Sequence, residues 1–476
     1  MPAQLSPMPR FSYQRERTMT SIRERIVGSE MEYSITVLDQ DDQELPSSLR
    51  VTPEFVENYL PEGVTQMSNM LSNGARYYDD LHFAEYATPE EIDFEDMVIR
   101  EFAGERIVIQ SLIRYFADNP EMHFAYIRKR VLDDERQTWG YHLNLSSDTT
   151  TIPVFNDYTM HLLGLHIATS QPLLGSGTLY YNHATKRQEY SYGQKVLDPN
   201  LIDCDIDTRD KTALINTRNE PLASKDHRRI HVTCLDPHIS PWAAKMTAGT
   251  LSLVLRIIEQ GQGHKVRAGI YGSHSMSAIA VTNATDLTHK QAVRMHEGPA
   301  MTPIEIQRAI IKLAERTDHT DQEAKVLKEW RKAIDDLESD PMSLADRSDA
   351  IGRLATIHGA NIRRKDDPGD MSTDAAKIAD AYYDRIFEIG TNRFPRDAPD
   401  PFNAYQKSGA HIIRTRQKTS ERSIQQAILY PPKTTRAFAR AALIVSGGVE
   451  KVSWESYTKW ATPHYLPDPY QSTLEL

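Results

Sequence analysis

The sequence predicts an α+β fold, in which strands and helices intermix along the chain. From Arg25 onward, short segments that alternate polar and apolar residues are interspersed with long amphipathic ones. No segment recurs at a period of about 20 to 50 residues, which argues against a solenoid or another repeat architecture. A chain of 476 residues is long enough to build two or three domains and one large core.

Five segments have the periodicity of amphipathic helices, and residues at their ends carry matching signals. Thr302 is a predicted N-cap, Pro303 fits the first turn, and Glu305 completes a capping box. Gly261 and Gly390 stand where left-handed C-caps are expected. The predicted helices are residues 94–119, 241–260, 303–316, 321–336 and 374–389.

The chain is predicted to have three parts. Residues 1–24 lack a helix or strand period and are predicted to form a flexible tail. Two polar stretches, residues 363–373 and 391–401, flank the predicted helix at 374–389, and the second is rich in proline. We therefore predict a large domain over 25–400 and a small C-terminal domain over 401–476.

The composition disfavours several classes of partner. The formal net charge is −11, so binding of nucleic acid along a broad basic surface is not expected. Apolar runs stay far below the length that crosses a bilayer, and no membrane association is expected. The two cysteines, Cys204 and Cys234, form no metal-binding pattern, and so few thiols indicate a reducing compartment, the cytoplasm.

The first predicted strand carries two carboxylates on one face. At strand period two, Glu30 and Glu32 lie about 7 Å apart on the same face of residues 25–37. Paired carboxylates without nearby cysteine suit Mg²⁺. An edge strand with two solvated glutamates has the same spacing, so the pattern alone leaves both interpretations open. The opposite face is apolar and consists of Met31, Tyr33, Ile35 and Val37.

A second acidic segment follows an Asn-Gly turn signal at residues 73–74. If the strand after it is regular, Tyr78, Asp80 and His82 share one face, and Glu85 follows. These residues form either part of a metal site or a solvated rim. The other face would carry Tyr77, Asp79 and Leu81.

Two later strands each place a histidine opposite an apolar face. In residues 139–146 the polar face includes His142 and Asn144, and in residues 228–235 it includes His231. Each histidine is a candidate metal ligand, although a single histidine on a strand is more often a hydrogen-bonded structural residue.

Candidate phosphate-binding cations are Arg218 in the segment INTRNEP and Arg436 and Arg440 in PPKTTRAFAR. Arg436 and Arg440 are four residues apart and therefore share one helix face. The chain has no GxxxxGK[ST] motif, so any use of ATP must depend on a fold other than a P-loop.

The ordered set of these motifs resembles the family of the Pup ligase and the depupylase. The resemblance covers about residues 25 to 457, and the set as a whole is more specific than any one motif. It implies a glutamine-synthetase-like fold: a large curved antiparallel β-sheet with helices packed on one side, plus a small C-terminal domain. The motifs are GSEMEY, NGARYYDD, AEYATPE, WGYHLN, GSG, INTRNEP, RRIHV, DAYYD and PPKTTRA.

The resemblance also implies site residues and the cofactors ATP and Mg²⁺. Magnesium would be held by Glu30, Tyr78 and Glu85, with Glu32 as a further acidic group nearby. The implied nucleotide contacts are Arg76, Thr88 and Trp454, and the implied catalytic carboxylate is Asp80.

Two enzymatic directions exist within the family that the chain resembles. The depupylase direction hydrolyses a side-chain amide or isopeptide with nucleotide retained. The ligase direction phosphorylates a carboxylate and joins it to a lysine amine. The position of Glu85, five residues after Asp80, favours the first, and the short stretch between Glu32 and Asn73 favours the second. We expect the hydrolytic direction, with a Pup-like modifier and its conjugates as partners; a non-catalytic peptide-binding relative is the third alternative.

Two departures from the family pattern concern the substrate. Leu143 stands where the family has a glutamate, at a position that the strand period places on the apolar face. Leu222 stands where the family has a histidine. The second departure leaves open whether the modifier is Pup itself.

Overall fold

The computed structural model of the chain describes residues 22–41, 43–46, 51–133, 138–148, 157–198, 200–205, 213–216, 227–269, 275–390, 413 and 417–473. Arg218, the domain boundary predicted after residue 400, and all of the predicted tail except residues 22–24 lie outside the described residues.

The described part of the chain is an α+β structure, as the sequence predicts. Its strands are β1 Val27–Leu38, β2 Gln66–Met67, β3 Met70–Leu71, β4 Arg76–Asp80, β5 Phe83–Ala87, β6 Phe124–Arg128, β7 Tyr141–Asp148, β8 Thr178–Asn182, β9 Arg187–Ser191, β10 Ile202–Asp205, β11 Ala213–Asn216, β12 His227–Val232, β13 Arg385–Gly390, β14 Lys451–Val452, β15 Ser456–Lys459 and β16 Thr462–Tyr465. Its α-helices are α1 Pro53–Asn58, α2 Phe94–Asp118, α3 Asp157–Thr169, α4 Gln171–Leu174, α5 Pro241–Glu259, α6 Met276–Thr285, α7 Pro303–Ala314, α8 Asp321–Ser339, α9 Asp349–Arg364, α10 Asp374–Tyr383, α11 Glu421–Leu429 and α12 Ala437–Ser446.

An 11-stranded sheet forms the centre of the fold. Its main path is β10-β11-β12-β7-β1-β5-β4-β3-β2, and β6 and β13 extend it beside the second half of β1. Within this described sheet, β10 and β11 are parallel and the other pairs are antiparallel. The large antiparallel sheet implied by the family resemblance is confirmed.

One face of β1 packs against helix α2. The alternating residues Met31 and Tyr33 are buried in the core, and Ser29 Oγ donates to Glu101 Oε2 of α2 at 3.2 Å. Tyr141 of the neighbouring strand β7 donates to the same Glu101 oxygen at 2.9 Å. Because side chains alternate along a strand, Glu30 and Glu32 lie on the face that points away from this helix.

Helix ends follow the capping signals at most of the predicted positions. Thr302 and Glu305 form the predicted capping box of α7, and Gly261 has the left-handed backbone expected after α5. The predicted helix at 374–389 is wrong in its second half: α10 ends at Tyr383, and β13 pairs with β6. Gly390 is therefore the last residue of β13 and not a helix C-cap. The buried Asp384 ends the helix because its carboxylate accepts from Arg128 and Arg353.

The described C-terminal elements are joined to the main sheet by buried polar contacts. Asn73 Nδ2 donates to the carbonyl of Ala427 in α11 at 3.1 Å. Arg436 and Arg440, just before and within α12, both donate to Glu90, which follows β5. These contacts position the segment that contains Trp454 beside the sheet.

No helix among the described residues combines the length and the apolar character needed to cross a lipid bilayer.

Candidate active site

The strand register gathers most of the predicted site residues on the face of the sheet opposite α2. Glu32 of β1 is the direct partner of Glu85 on β5, and Glu85 is the direct partner of Tyr78 on β4. One register step along, Glu30 pairs with His142 of β7. Directly opposed residues of antiparallel strands share a face, so these side chains form two adjacent rows.

Glu32, Asp80 and Glu85 form an oxygen-rich group. One carboxylate oxygen from each lies within 4.8 Å of the others. Burial raises the pKa of Glu85 well above its usual range, and the charges of Glu30 and Glu32 raise it further. Burial beside Glu85 likewise raises the pKa of Tyr78. Repulsion among these groups is relieved when a cation binds, and an all-oxygen set fits Mg²⁺.

Glu30 lies in a different electrostatic setting. Its Oε1 accepts from Arg229 Nη2 and Asn144 Nδ2, each at 3.0 Å, and its Oε2 lies 3.1 Å from His142 Nδ1. Burial alone would raise the pKa of Glu30, but Arg229, His142 and His231 together hold it well below its usual range. The carboxylate is therefore ionised and surrounded by donors.

His142 and His231 are both brought to Glu30, and their rings make an edge contact with centroids 4.8 Å apart. Burial, with the nearby Arg229 charge, lowers the pKa of His231 to about 3. This imidazole is neutral, as a metal ligand must be. A nitrogen-rich set beside a guanidinium nevertheless fits Mg²⁺ less well than the oxygen set around Glu85.

A cleft of about 640 Å³, including its opening to solvent, lies next to these rows. Thr88, Arg436 and Trp454, three of the predicted nucleotide contacts, line it together with Glu30 and Arg229. The Thr88 hydroxyl accepts from the Ser29 amide at 2.9 Å, which leaves its own hydrogen available as a donor. The remaining lining residues are Ile26, Val27, Gly28, Ser29, Ala87, Glu90, Asn144, Leu145, Ser146 and Pro469.

The two predicted C-terminal arginines differ in their surroundings. Arg436 lines the cleft, and its Nε donates to Glu90 Oε1 at 2.8 Å. Arg440 is fully buried: it donates to Glu90, to the Gly74 carbonyl at 2.7 Å and to the Trp454 carbonyl at 3.1 Å. Its guanidinium carbon also lies 4.6 Å from the centroid of the Trp454 ring. These contacts give Arg440 a structural role in holding Trp454; its contact with nucleotide stays a prediction.

The strand β4 and its turn hold the other predicted residues. The Arg76 guanidinium carbon lies 3.9 Å from the centroid of the Tyr78 ring. Asp80 is the last residue of β4 and is half-buried. The expectation that His82 continues this strand face is wrong. Leu81 and His82 form the turn to β5 with φ of 51° and 72°, and His82 N donates to Asp79 Oδ1 at 2.6 Å.

Sequence reasoning assigned no site role to three residues that the structure places in the site: Arg229, Asn144 and Glu90. Arg229 and Asn144 share strand faces with His231 and His142, so the period-two pattern contained a signal for both. Glu90 had no such signal, because its partners Arg436 and Arg440 lie 346 and 350 positions away.

The fold and this site define a class of α+β proteins in which a large sheet presents an acidic face beside a cleft. The family follows from the sequence comparison. The chain belongs to the Pup-ligase family, whose sequence model, described as Pup-ligase protein, matches residues 25–458.

Curated relatives include enzymes of both directions. A depupylase of Acidothermus cellulolyticus is 28% identical over 400 residues, covering 81% of this chain and 74% of the relative. A Pup deamidase/depupylase of Mycobacterium tuberculosis is 27% identical with the same coverage. A Pup–protein ligase of Acidimicrobium ferrooxidans is 28% identical, covering 96% of each chain.

Solved structures show the same fold. The Pup ligase PafA in complex with Pup superimposes with a TM-score of 0.74 at 20% identity, covering 95% of this chain and 90% of the ligase. The structure of PafA in complex with ADP gives a TM-score of 0.68, also at 20% identity, covering 98% of this chain and 95% of the ligase.

Proposed function

We propose that this protein is an ATP- and Mg²⁺-dependent enzyme that acts on the terminal side-chain amide or isopeptide of a Pup-like modifier. The direction we favour is hydrolysis with nucleotide retained. The observation that carries the proposal is the placement of Glu32, Asp80 and Glu85 on one sheet face. On the same strand as Glu32, Glu30 lines a cleft with a cationic and aromatic wall. The two-cysteine composition supports a cytoplasmic setting.

The residues divide into two groups by their position. Glu30, Glu32, Tyr78 and Glu85 would hold magnesium. Glu32 and Glu85 belong to the oxygen-rich group, Tyr78 lies beside Glu85, and Glu30 is grouped with His142 and His231. Bound magnesium would supply a Lewis acid that neutralises charge on phosphate and acyl oxygens. The nucleotide contacts we assign are Arg76, Thr88, Arg436 and Trp454, with Arg440 behind Trp454 and Arg218 outside the described residues.

Asp80 is the group we assign to proton transfer. It lies at the end of β4, is partly open to solvent and belongs to the same carboxylate group as Glu32 and Glu85. In the hydrolytic direction it would accept a proton from the attacking water. The C–N bond of the amide then breaks, and the proton passes to the departing nitrogen.

Ligation is the second candidate function, and one observation favours it. The similarity to the Acidimicrobium ligase spans 96% of each chain, whereas that to the depupylases spans 74% of the relatives. In this direction ATP would transfer its γ-phosphate to the modifier carboxylate. A lysine amine then attacks the acyl carbon, phosphate leaves, and Asp80 accepts the amine proton.

Mass spectrometry of defined reactions tests both directions. Purified protein with ATP and Mg²⁺ is incubated with a Pup modifier ending in glutamine, with one ending in glutamate, and with a lysine conjugate. Hydrolysis converts the glutamine form to glutamate and releases lysine from the conjugate. Ligation consumes the glutamate form in the presence of a lysine acceptor. No mass change in any mixture, with ATP binding or without it, would refute the enzymatic proposal and favour the peptide-binding alternative.

A further inference from the structure

Two aromatic side chains stack on each other, and one of them is the strand partner of the proposed catalytic carboxylate. The rings of Phe83 and Trp139 have centroids 5.4 Å apart and planes inclined by 23°. Phe83 is the direct register partner of Asp80 across the β4–β5 turn. Both aromatic residues are half-buried, so part of each side chain stays exposed, and Trp139 also packs against the main hydrophobic core.

The aromatic pair is held in a fixed relation to the acidic residues. The carbonyl of Gly140, next to Trp139, accepts from the Glu32 amide at 3.0 Å. The Trp139 carbonyl accepts from Lys195 Nζ at 3.1 Å, and Lys195 is itself buried. The platform formed by Phe83 and Trp139 therefore shares its backbone support with the acidic face.

The turn next to the platform adds an exposed apolar side chain. Leu81 is 74% exposed, directly follows Asp80 and has a left-handed backbone. The Asp79 carboxylate fixes this turn by accepting from His82 N. Leu81, Phe83 and Trp139 thus give the approach to Asp80 an apolar border.

An aromatic platform next to carboxylates is chemically complementary to a lysine side chain. A lysine side chain offers a run of methylenes that packs on aromatic faces, and its amine is attracted both by ring faces and by carboxylates. The carboxylates of Glu32 and Asp80 lie at the end of the platform. A glutamine side-chain amide has no such arm, because its leaving group is ammonia.

We propose that Phe83 and Trp139 form the subsite for the aliphatic arm of the lysine whose nitrogen belongs to the amide being cleaved or formed. The inference rests on the proposed function and adds to it the residues that distinguish a lysine leaving group from ammonia.

The test compares two substrates that share the modifier and differ in the leaving group. One is a Pup modifier ending in glutamine; the other is the same modifier joined to the side chain of Nα-acetyl-lysine methylamide. Trp139→Leu and Phe83→Leu are expected to lower kcat/KM for the lysine substrate about tenfold through loss of the aromatic face. Hydrolysis of the glutamine substrate changes by less than about twofold. Trp139→Phe keeps an aromatic ring and restores most of the lysine activity.

Two controls separate this role from a structural one. Trp242, half-buried and bonded through Nε1 to Glu329 at 2.8 Å, is the matched position, and Trp242→Leu is expected to leave both activities unchanged. ADP affinity and the thermal unfolding temperature of each variant report its folding. If the enzyme proves to be a ligase, Nα-acetyl-lysine methylamide and hydroxylamine replace the two substrates as acceptors.

Three outcomes would overturn the inference. Equal loss on both substrates means that the platform binds the modifier rather than the lysine arm. No loss on either substrate means that the platform binds no part of the substrate. If the wild-type protein processes neither substrate in either direction, the proposed function fails, and the inference fails with it.

Discussion

Arg229 Nη2 lies 3.0 Å from Glu30 Oε1 and forms an ion pair within the row of predicted metal ligands. The same arginine donates through Nε to Asn144 Oδ1 at 2.6 Å and lines the cleft. One side of the Glu30 carboxylate is therefore occupied by a fixed cation. The other side remains for the histidines or for a bound metal ion.

The Arg229 ion pair predicts a strong effect on nucleotide binding. Arg229→Met removes a charged donor from the cleft wall and leaves Glu30 short of a partner, so ATP affinity in Mg²⁺ is expected to fall about 10- to 100-fold. Titration calorimetry measures this change. Arg187, exposed on β9 in the separate two-stranded sheet of β8 and β9, provides the matched substitution Arg187→Met, which should bind ATP normally.

The proposed metal residues predict that ATP binds only with a divalent cation. Glu30→Ala removes an ionised carboxylate and is expected to weaken ATP binding by about 100-fold or more. Glu54→Ala, at an exposed position in α1, serves as the control. Normal ATP affinity of Glu30→Ala, or of the wild type in excess chelator, would contradict the assignment of Glu30 to a metal-dependent site.

Asp80→Asn keeps the shape of the side chain and removes its ability to accept a proton. Turnover is expected to fall about 10²- to 10⁴-fold while ATP and Mg²⁺ binding persist. Asp79→Asn is the control, because an asparagine Oδ1 still accepts from His82 N and preserves the turn. Full turnover by Asp80→Asn, in cleavage or in ligation, would exclude it as the base.

Trp454 predicts that the C-terminal segment takes part in nucleotide binding. Trp454→Leu should weaken ATP binding roughly tenfold through loss of a stacking surface. Trp460, which is 83% exposed at the β15–β16 turn, gives the control Trp460→Leu. Equal ATP affinity of Trp454→Leu and Trp460→Leu would show that the Trp454 indole does not contact the nucleotide. Deleting the residues after 401 is a poorer test, because it would also remove Arg436 and Arg440, the partners of Glu90.

The ion pairs of Glu90 with Arg436 and Arg440 predict that the stability of the fold depends on pH. Burial would raise the pKa of Glu90, but Arg440 and Arg436 lower it from 4.5 to about 2. A carboxyl group whose pKa is lower in the folded state stabilises the fold above pH 4.5 and loses that contribution as the pH falls toward 2. Glu90→Gln should therefore reduce the free energy of unfolding at neutral pH and flatten its decline below pH 4.5. Chemical denaturation at several pH values measures both effects, and parallel pH profiles for variant and wild type would contradict the pairing.

Alternation along single strands made much of the acidic face predictable. Glu30 and Glu32, Tyr78 and Asp80, and His142 and Asn144 were each assigned to one face from the sequence. The pairing of β1 with β5 and β7 was not, because strand register depends on contacts distant in sequence. The same limit explains Arg440: its helix face was clear, while its partner Glu90 was not.

The error at residues 374–389 has a different origin. The amphipathic pattern continues past Tyr383, but the buried carboxylate of Asp384 and the pairing of β13 with β6 override it. The strand alternation predicted through His82 likewise ends at Asp80. The left-handed backbone of Leu81 and His82 forms a turn there, and the alternation pattern carried no signal for it.

The position of Trp454 and Pro469 on the cleft wall has a kinetic consequence. The hydrogen bonds of Glu90 with Arg436 and Arg440, which hold this wall, join residues 346 and 350 positions apart. Closing so long a loop costs conformational entropy before the contacts that stabilise it can form. The sheet strands from β1 to β7 need far shorter closures. On refolding from denaturant, helical and sheet signals should return before the capacity to bind ADP, and Glu90→Gln should lengthen that lag.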